Sequence, residues 1–250
     1  MLNKIREVLL KLGIKQNDNL MIHADFSFLL GRGTKSKIVY SELFNFLSEM
    51  VEDGNFLIPS FTYNFCNTRV FDLKKTPSET GMFANYLIKH ELISRTSHPI
   101  FSFVISGKDA KKISSGISND AFGKGSIFES MHKVFGCKIV FINADFQYCT
   151  YCHYVEQKNN VKYRFLKSFP GRIIDGDQQY EDDFTYNVRS LDGTVITDLS
   201  RLKSLLTKKN VFKTISNDSF NISLIDVNDF VTYTEQYLHD DEHILLKDIK

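Results

Sequence analysis

Tryptophan is absent from these 250 residues and proline occurs four times. With so few prolines and no Gly/Ser-rich or low-complexity stretch, the chain has no evident linker, so residues 1–250 are expected to form one domain. A charge surplus is missing too: thirty-one Lys and Arg offset thirty Asp and Glu, leaving a formal charge of +1. That balance argues against a nucleic-acid partner, which selects for a basic excess. No apolar run approaches the ~20 residues that cross a bilayer. The start, Met1-Leu2-Asn3-Lys4-Ile5-Arg6, lacks the apolar core of a signal peptide, so a cytoplasmic protein without membrane contact is expected. Cysteine is sparse: Cys66, Cys137, Cys149 and Cys152. Cys149 and Cys152 fit Cys-x-x-Cys, but no second pair completes a zinc set, so thiols near the start of a helix are expected and no metal.

What is present alternates between two periodicities. Residues 2–13 place Leu2, Ile5, Val8 and Leu12 on one helical face, with Gly13 as the stop. Asn19 to His23 reads as a strand, Ser36 to Met50 as a helix and Phe56 to Phe61 as the next strand, the rhythm of a βαβ unit. Residues 63–81 form a polar connection of the length that carries function. Helices are expected at Gly81 to His90, from Asp109, around Phe128 and from Thr150 to Gln157. Phe101 to Ser106 and the apolar Lys138 to Asn143 read as strands, the latter buried in the sheet. Residues 161–200 predict further strands, with turns at Asp175-Gly176 and Asp192-Gly193, the second a good hairpin signal. Leu199 to Leu206 (helix), Ser223 to Ile225 (strand) and Val227 to Leu238 (helix) close the chain. The expected fold is a three-layer α/β/α sandwich with a mixed central sheet and a late antiparallel β portion.

The chemistry-bearing motif is His153-Tyr154-Val155-Glu156. Residues three apart on a helix share a face, so the carboxylate can hold one imidazole nitrogen and leave the other to take a proton. Taken alone, the spacing fits a surface ion pair equally. Four other stretches accompany it: Phe71-Asp72-x-x-x-Thr76-Pro77-Ser78-x-x-Gly81, Arg95-Thr96-Ser97-His98-Pro99-x-x-Ser102, Phe122-Gly123-x-Gly125-Ser126-x-Phe128 and Tyr163-Arg164-x-x-Lys167. Together they resemble the aminoglycoside 3-N-acetyltransferase family over nearly the whole chain.

The resemblance implies an acetyl-CoA-dependent enzyme that transfers acetyl directly to an amine, with His153 as general base and Glu156 orienting it. It places the CoA-binding turn after the first strand, at His23, Ala24, Asp25, Phe26, Ser27 and Gly31, with Gly33 and Thr34 just beyond. Here Ala24-Asp25 stands where the family has two serines, and a carboxylate suits a phosphate only if it turns away. Thr96 replaces the usual serine. His98 and Ser102 are expected to line the CoA channel, with a buried structural histidine as the alternative for His98. Tyr63, Arg69, Asp72, Thr76 and Arg164 fall on the acceptor side, where Asp72 either faces a cationic amine or caps a turn.

Family members that modify aminoglycosides carry a longer, Trp-containing segment before the Phe-Asp stretch. Here Tyr63 to Val70 supplies Arg69, aromatic and amide residues instead. A nucleotide-linked amino sugar, sharpest as a dTDP-linked 3-amino sugar, is therefore the expected small-molecule acceptor, with an aminoglycoside as the alternative. Glu181-Asp182-Asp183 reads as a solvated turn rather than a polycation site. A fold that binds CoA or a sugar without catalysis is the reading of another class, and the intact His153/Glu156 pair argues against it.

Overall fold

The computed structural model describes residues 1–30 and 36–247. Its strands are β1 (Asn19–Ala24), β2 (Asn55–Pro59), β3 (Val70–Asp72), β4 (Ser94–Arg95), β5 (Phe103–Gly107), β6 (Lys138–Ile142), β7 (Arg164–Asp175), β8 (Gln178–Arg189), β9 (Lys213–Ser216) and β10 (Asn221–Asp226). Its helices are α1 (Leu2–Lys11), α2 (Ser36–Met50), α3 (Phe65–Thr68), α4 (Met82–Lys89), α5 (Ala110–Ser114), α6 (Ile127–Lys133), α7 (Cys152–Lys158), α8 (Ser200–Lys208) and α9 (Val227–Asp240).

Seven strands form the main sheet in the order β4-β5-β2-β1-β6-β10-β9. At its centre β1 runs parallel to both β2 and β6, while β5 and β10 pair antiparallel on either side. The sheet is therefore mixed, as the sequence predicts. Alternation along the strands sorts the core into two layers. Leu20 and Ile22 of β1 join Phe56, Val140 and the apolar faces of α1, α2 and α4. Met21 points the other way and joins Leu57, Ile139, Phe141 and the faces of α6, α7, α8 and α9. Helices thus cover both faces, giving the three layers.

A second sheet, β3-β7-β8, stands apart from the first. Its body is a hairpin of two twelve-residue strands in continuous register from Arg164↔Arg189 to Asp175↔Gln178. The turn is Gly176-Asp177, with Gly176 at φ +61, where glycine carries no Cβ penalty. The turn expected at Asp175-Gly176 is thus the hairpin turn, whereas the hairpin signal at Asp192-Gly193 is corrected: that pair lies beyond the end of β8 and joins no paired strands. The hairpin is fixed at its middle by close backbone approach. A Cβ on Gly171 would lie 2.5 Å from Phe65 Cζ and 2.7 Å from the Arg69 carbonyl oxygen, so only glycine lets β7 meet the α3 turn there. The connection over 63–81 accordingly contains α3 and β3 rather than irregular chain alone.

Candidate active site

The three parallel strands β1, β2 and β6 end side by side, and the segments leaving them wall a cavity of about 710 Å³. The carboxyl edge of parallel strands is where such sheets leave room for ligands. His23, Ala24, Asp25, Phe26 and Ser27 all border this cavity, as the sequence reading expects of the turn after β1. Gly31, Gly33 and Thr34 lie outside the described residues. The Asp25 carboxylate is engaged locally, its Oδ1 accepting the Ser27 N–H at 2.9 Å, while the residue still borders the cavity. His23 is stacked on Phe141 at 5.2 Å and is only 8 % exposed, yet its Nε2 has no hydrogen-bond partner.

A second cavity, about 850 Å³, opens between the β7–β8 hairpin and the chain after β2. His153, Tyr63, Thr150 and Thr197 border both cavities. His153 is the second residue of α7, so one short helix sets it at the junction. Its Nδ1 lies 2.6 Å from Glu156 Oε2, and Glu156 is fully buried. Arg164 Nε stands 2.6 Å from the same oxygen as an ion pair, and the Tyr163 hydroxyl donates to Oε1 at 3.0 Å. Burial pushes the Glu156 carboxyl up, but His153 and Arg164 outweigh it and hold the group below its ordinary value. A carboxylate anchored on both oxygens cannot swing, so it fixes the ring. With Nδ1–H donating to Glu156, Nε2 carries the lone pair, and it has no partner among the described residues. Phe122 meets the ring edge-on at 5.7 Å and closes its inner side.

The acceptor-side expectations divide. Tyr63, Arg69 and Arg164 border the second cavity. Asp72 and Thr76 do not: Asp72 Oδ1 accepts the N–H groups of Lys74 and Lys75, and Thr76 Oγ1 accepts from Asp72 N, so the pair closes a local turn. His98 and Ser102, expected in the CoA channel, border neither cavity. His98 is 2 % exposed, accepts the Phe101 N–H on Nδ1 and faces the Thr185 carbonyl through Nε2. Ser102 is fully buried, donating to the Ser60 carbonyl at 2.7 Å and accepting from Arg95 Nε at 3.2 Å. Both partners come from distant strands, which local sequence does not announce. Tyr163 and Lys167 stood in the family motif without a role; the first anchors Glu156 and the second borders the second cavity.

The cysteines are free thiols. Burial pushes Cys149 up to about 12 and Cys152 well above its ordinary value. Donor atoms of Cys152, His153 and Glu156 lie within 4.8 Å of one another. The imidazole Nδ1 is already committed to the carboxylate and the thiol resists ionisation, so the trio reads as a hydrogen-bonded cluster.

Burial lowers both His23 and His98 to about 4. The unfolded chain binds those protons near pH 6.5 and the folded chain only near 4, so stability is full above pH 6.5 and falls as pH drops toward 4. At pH 5 each ring should cost about 2 kcal/mol. Urea denaturation at pH 7.5 and pH 5 measures this; equal stability at the two pH values contradicts neutral burial of the rings.

Two ligand-sized cavities that share one carboxylate-held imidazole, set on the edge of a mixed sheet, describe a two-substrate α/β enzyme. Comparison with known proteins makes the class specific. The family model for aminoglycoside 3-N-acetyltransferase matches residues 21–239, and the chain belongs to that family. It is an acetyl-CoA-dependent N-acyltransferase. Its fold is similar to AAC-IIIb solved with CoASH (TM-score 0.79, 15 % identity, 96 % of this chain and 96 % of that one). It is also similar to AAC-VIa bound to sisomicin (TM-score 0.76, 18 %, 96 % and 97 %). A third similar structure is the YokD protein of Bacillus subtilis (TM-score 0.75, 17 %, 96 % and 99 %). No curated protein matches the sequence. Among the described residues no helix is long and apolar enough to cross a membrane.

Proposed function

We propose that the chain acts as one catalytic unit that acetylates a sugar-borne amine by direct transfer, with His153 as general base. The observation that carries this is the place of His153: it borders both cavities while Glu156 holds its Nδ1 at 2.6 Å. Acetyl-CoA in the first cavity supplies an activated thioester carbonyl. An amine reaching that carbonyl from the second cavity must shed a proton as its C–N bond forms. His153 Nε2 takes the proton, the C–S bond breaks, and His153 returns the proton to the departing thiolate. Glu156 fixes the tautomer and stabilises the imidazolium formed in between, and Tyr163 and Arg164 keep Glu156 ionised and still.

For the acceptor, the comparisons support an aminoglycoside better than the nucleotide-linked sugar expected from the sequence: the matching family carries the aminoglycoside name, and AAC-VIa is similar with sisomicin bound. One observation favours a second acceptor class, because the described lining of the second cavity contains no Asp or Glu. Thiol release from acetyl-CoA, followed with and without amines, tests the reaction. Amine-dependent release with an acetamide product by mass spectrometry is expected. Release indifferent to every amine, or no binding of acetyl-CoA, would sink it.

A further inference from the structure

The cations of the second cavity are Arg69, Arg164, Lys167 and Arg189. Arg164 is neutralised by Glu156. The other three form no ion pair among the described residues. Two of them converge on one ring: Arg69 Cζ lies 5.2 Å and Lys167 Nζ 5.4 Å from the centroid of Phe169. Phe169 is itself buried and stacked on Tyr186 at 5.1 Å, so it is a fixed platform. Cation–π contact orients the two charges without cancelling them. Arg189 is held by the Ser190 and Val195 carbonyls, which likewise leave its charge intact. The carboxylates of Glu181, Asp182 and Asp183 border a neighbouring depression that Arg69 also borders, but none of them pairs with Arg69 among the described residues, and Asp183 takes the Ser168 hydroxyl.

A polycationic acceptor would meet three cations that form no ion pair among the described residues, and no Asp or Glu in the described lining of the cavity to pair its own ammonium groups. A phosphate would instead relieve the mutual repulsion of Arg69 and Lys167 and gain charge-assisted hydrogen bonds. Exposed rings, Phe165 at 55 % and Tyr63 at 46 %, supply apolar wall beside these cations.

We infer that the natural acceptor is an amino sugar carrying a phosphate group, seated between Arg69 and Lys167 with its amine directed to His153. The inference rests on the reading of His153 as the base shared by both cavities.

Four acceptors separate the possibilities: one amino sugar, its phosphate, its nucleoside-diphosphate derivative, and sisomicin. Either phosphorylated form should exceed the parent sugar in kcat/KM by about tenfold or more. A further gain with the nucleoside form assigns the exposed rings to a base; equal rates assign the site to a simple sugar phosphate. Lys167→Glu and Arg69→Glu should each lower kcat/KM for the phosphorylated sugar by about tenfold, with the acetyl-CoA KM within about twofold of the parent value. Preference for sisomicin overturns the inference. So does a rise in the acetyl-CoA KM with acceptor kinetics unchanged, which would make these cations a CoA phosphate site. Should no amine be turned over, the acetyltransferase reading fails by itself. Calorimetry on the CoA-loaded protein then decides the charge question: tighter binding of the phosphorylated sugar supports the anionic site, and equal or weaker binding removes it.

Discussion

His153→Ala should lower kcat by about 10²–10⁴-fold, the range lost with a general base, while the acetyl-CoA KM stays near its original value. The large effect follows from geometry. His153 borders both cavities, and its Nε2 has no partner among the described residues that could divert it. The donor cavity, in contrast, is walled mainly by the segments leaving β1 and β6, which the substitution leaves intact. Steady-state kinetics with both substrates varied gives the split. A kcat within a factor of about three of the parent would remove His153 from proton transfer, since no base catalysis is worth so little.

Arg164→Met should cost about 3–5 kcal/mol of folding stability, because it strands a buried carboxylate. Glu156 is fully buried and the Arg164 side chain is 5 % exposed. Removing the cation leaves His153 and the Tyr163 hydroxyl as the remaining partners of Glu156. Adding Glu156→Gln to the first change should recover part of the loss, since the uncompensated charge is then gone. Urea unfolding of the two variants and the parent measures both. If the single change costs less than about 1 kcal/mol, the pair behaves as a surface salt bridge and the buried-anchor account is wrong.

Much of this architecture was legible where apolar periodicity runs long. The face of α2, with Leu43, Phe46, Leu47 and Met50 buried, and the all-apolar Ile139 to Ile142 of β6 were readable because burial itself sets the pattern. The β7–β8 hairpin was harder: most of its residues are exposed, so no alternation marks its strands, and although the turn at Asp175-Gly176 was readable, Asp192-Gly193 offered a second hairpin signal that the structure does not use. At the site, His153 and Glu156 were readable because three residues of one helix bring them together. Tyr163 and Arg164 close on Glu156 only after the chain leaves α7 and enters β7, a tertiary event with no local trace. His98 and Ser102 were misplaced for the same reason, since their partners Thr185, on β8, and Ser60, just after β2, are far along the chain. Asp72 and Thr76 were different: their turn is local, and the Asp-x-x-x-Thr spacing already contained it.

The hairpin sends Phe169, Ile173, Phe184 and Val188 into the core and pairs with β3 and Asp120, while most of its other side chains are exposed and the first cavity is walled by segments of the main sheet. On the proposed reading, the wall that meets the amine is built largely from exposed hairpin side chains, and Arg164 is the hairpin residue that also holds Glu156. Exchanging outward-facing side chains along two ribbons can retune which molecule receives the acetyl group without reopening the scaffold that holds the imidazole. Within such a division of labour, new acceptors are reached by repainting one wall.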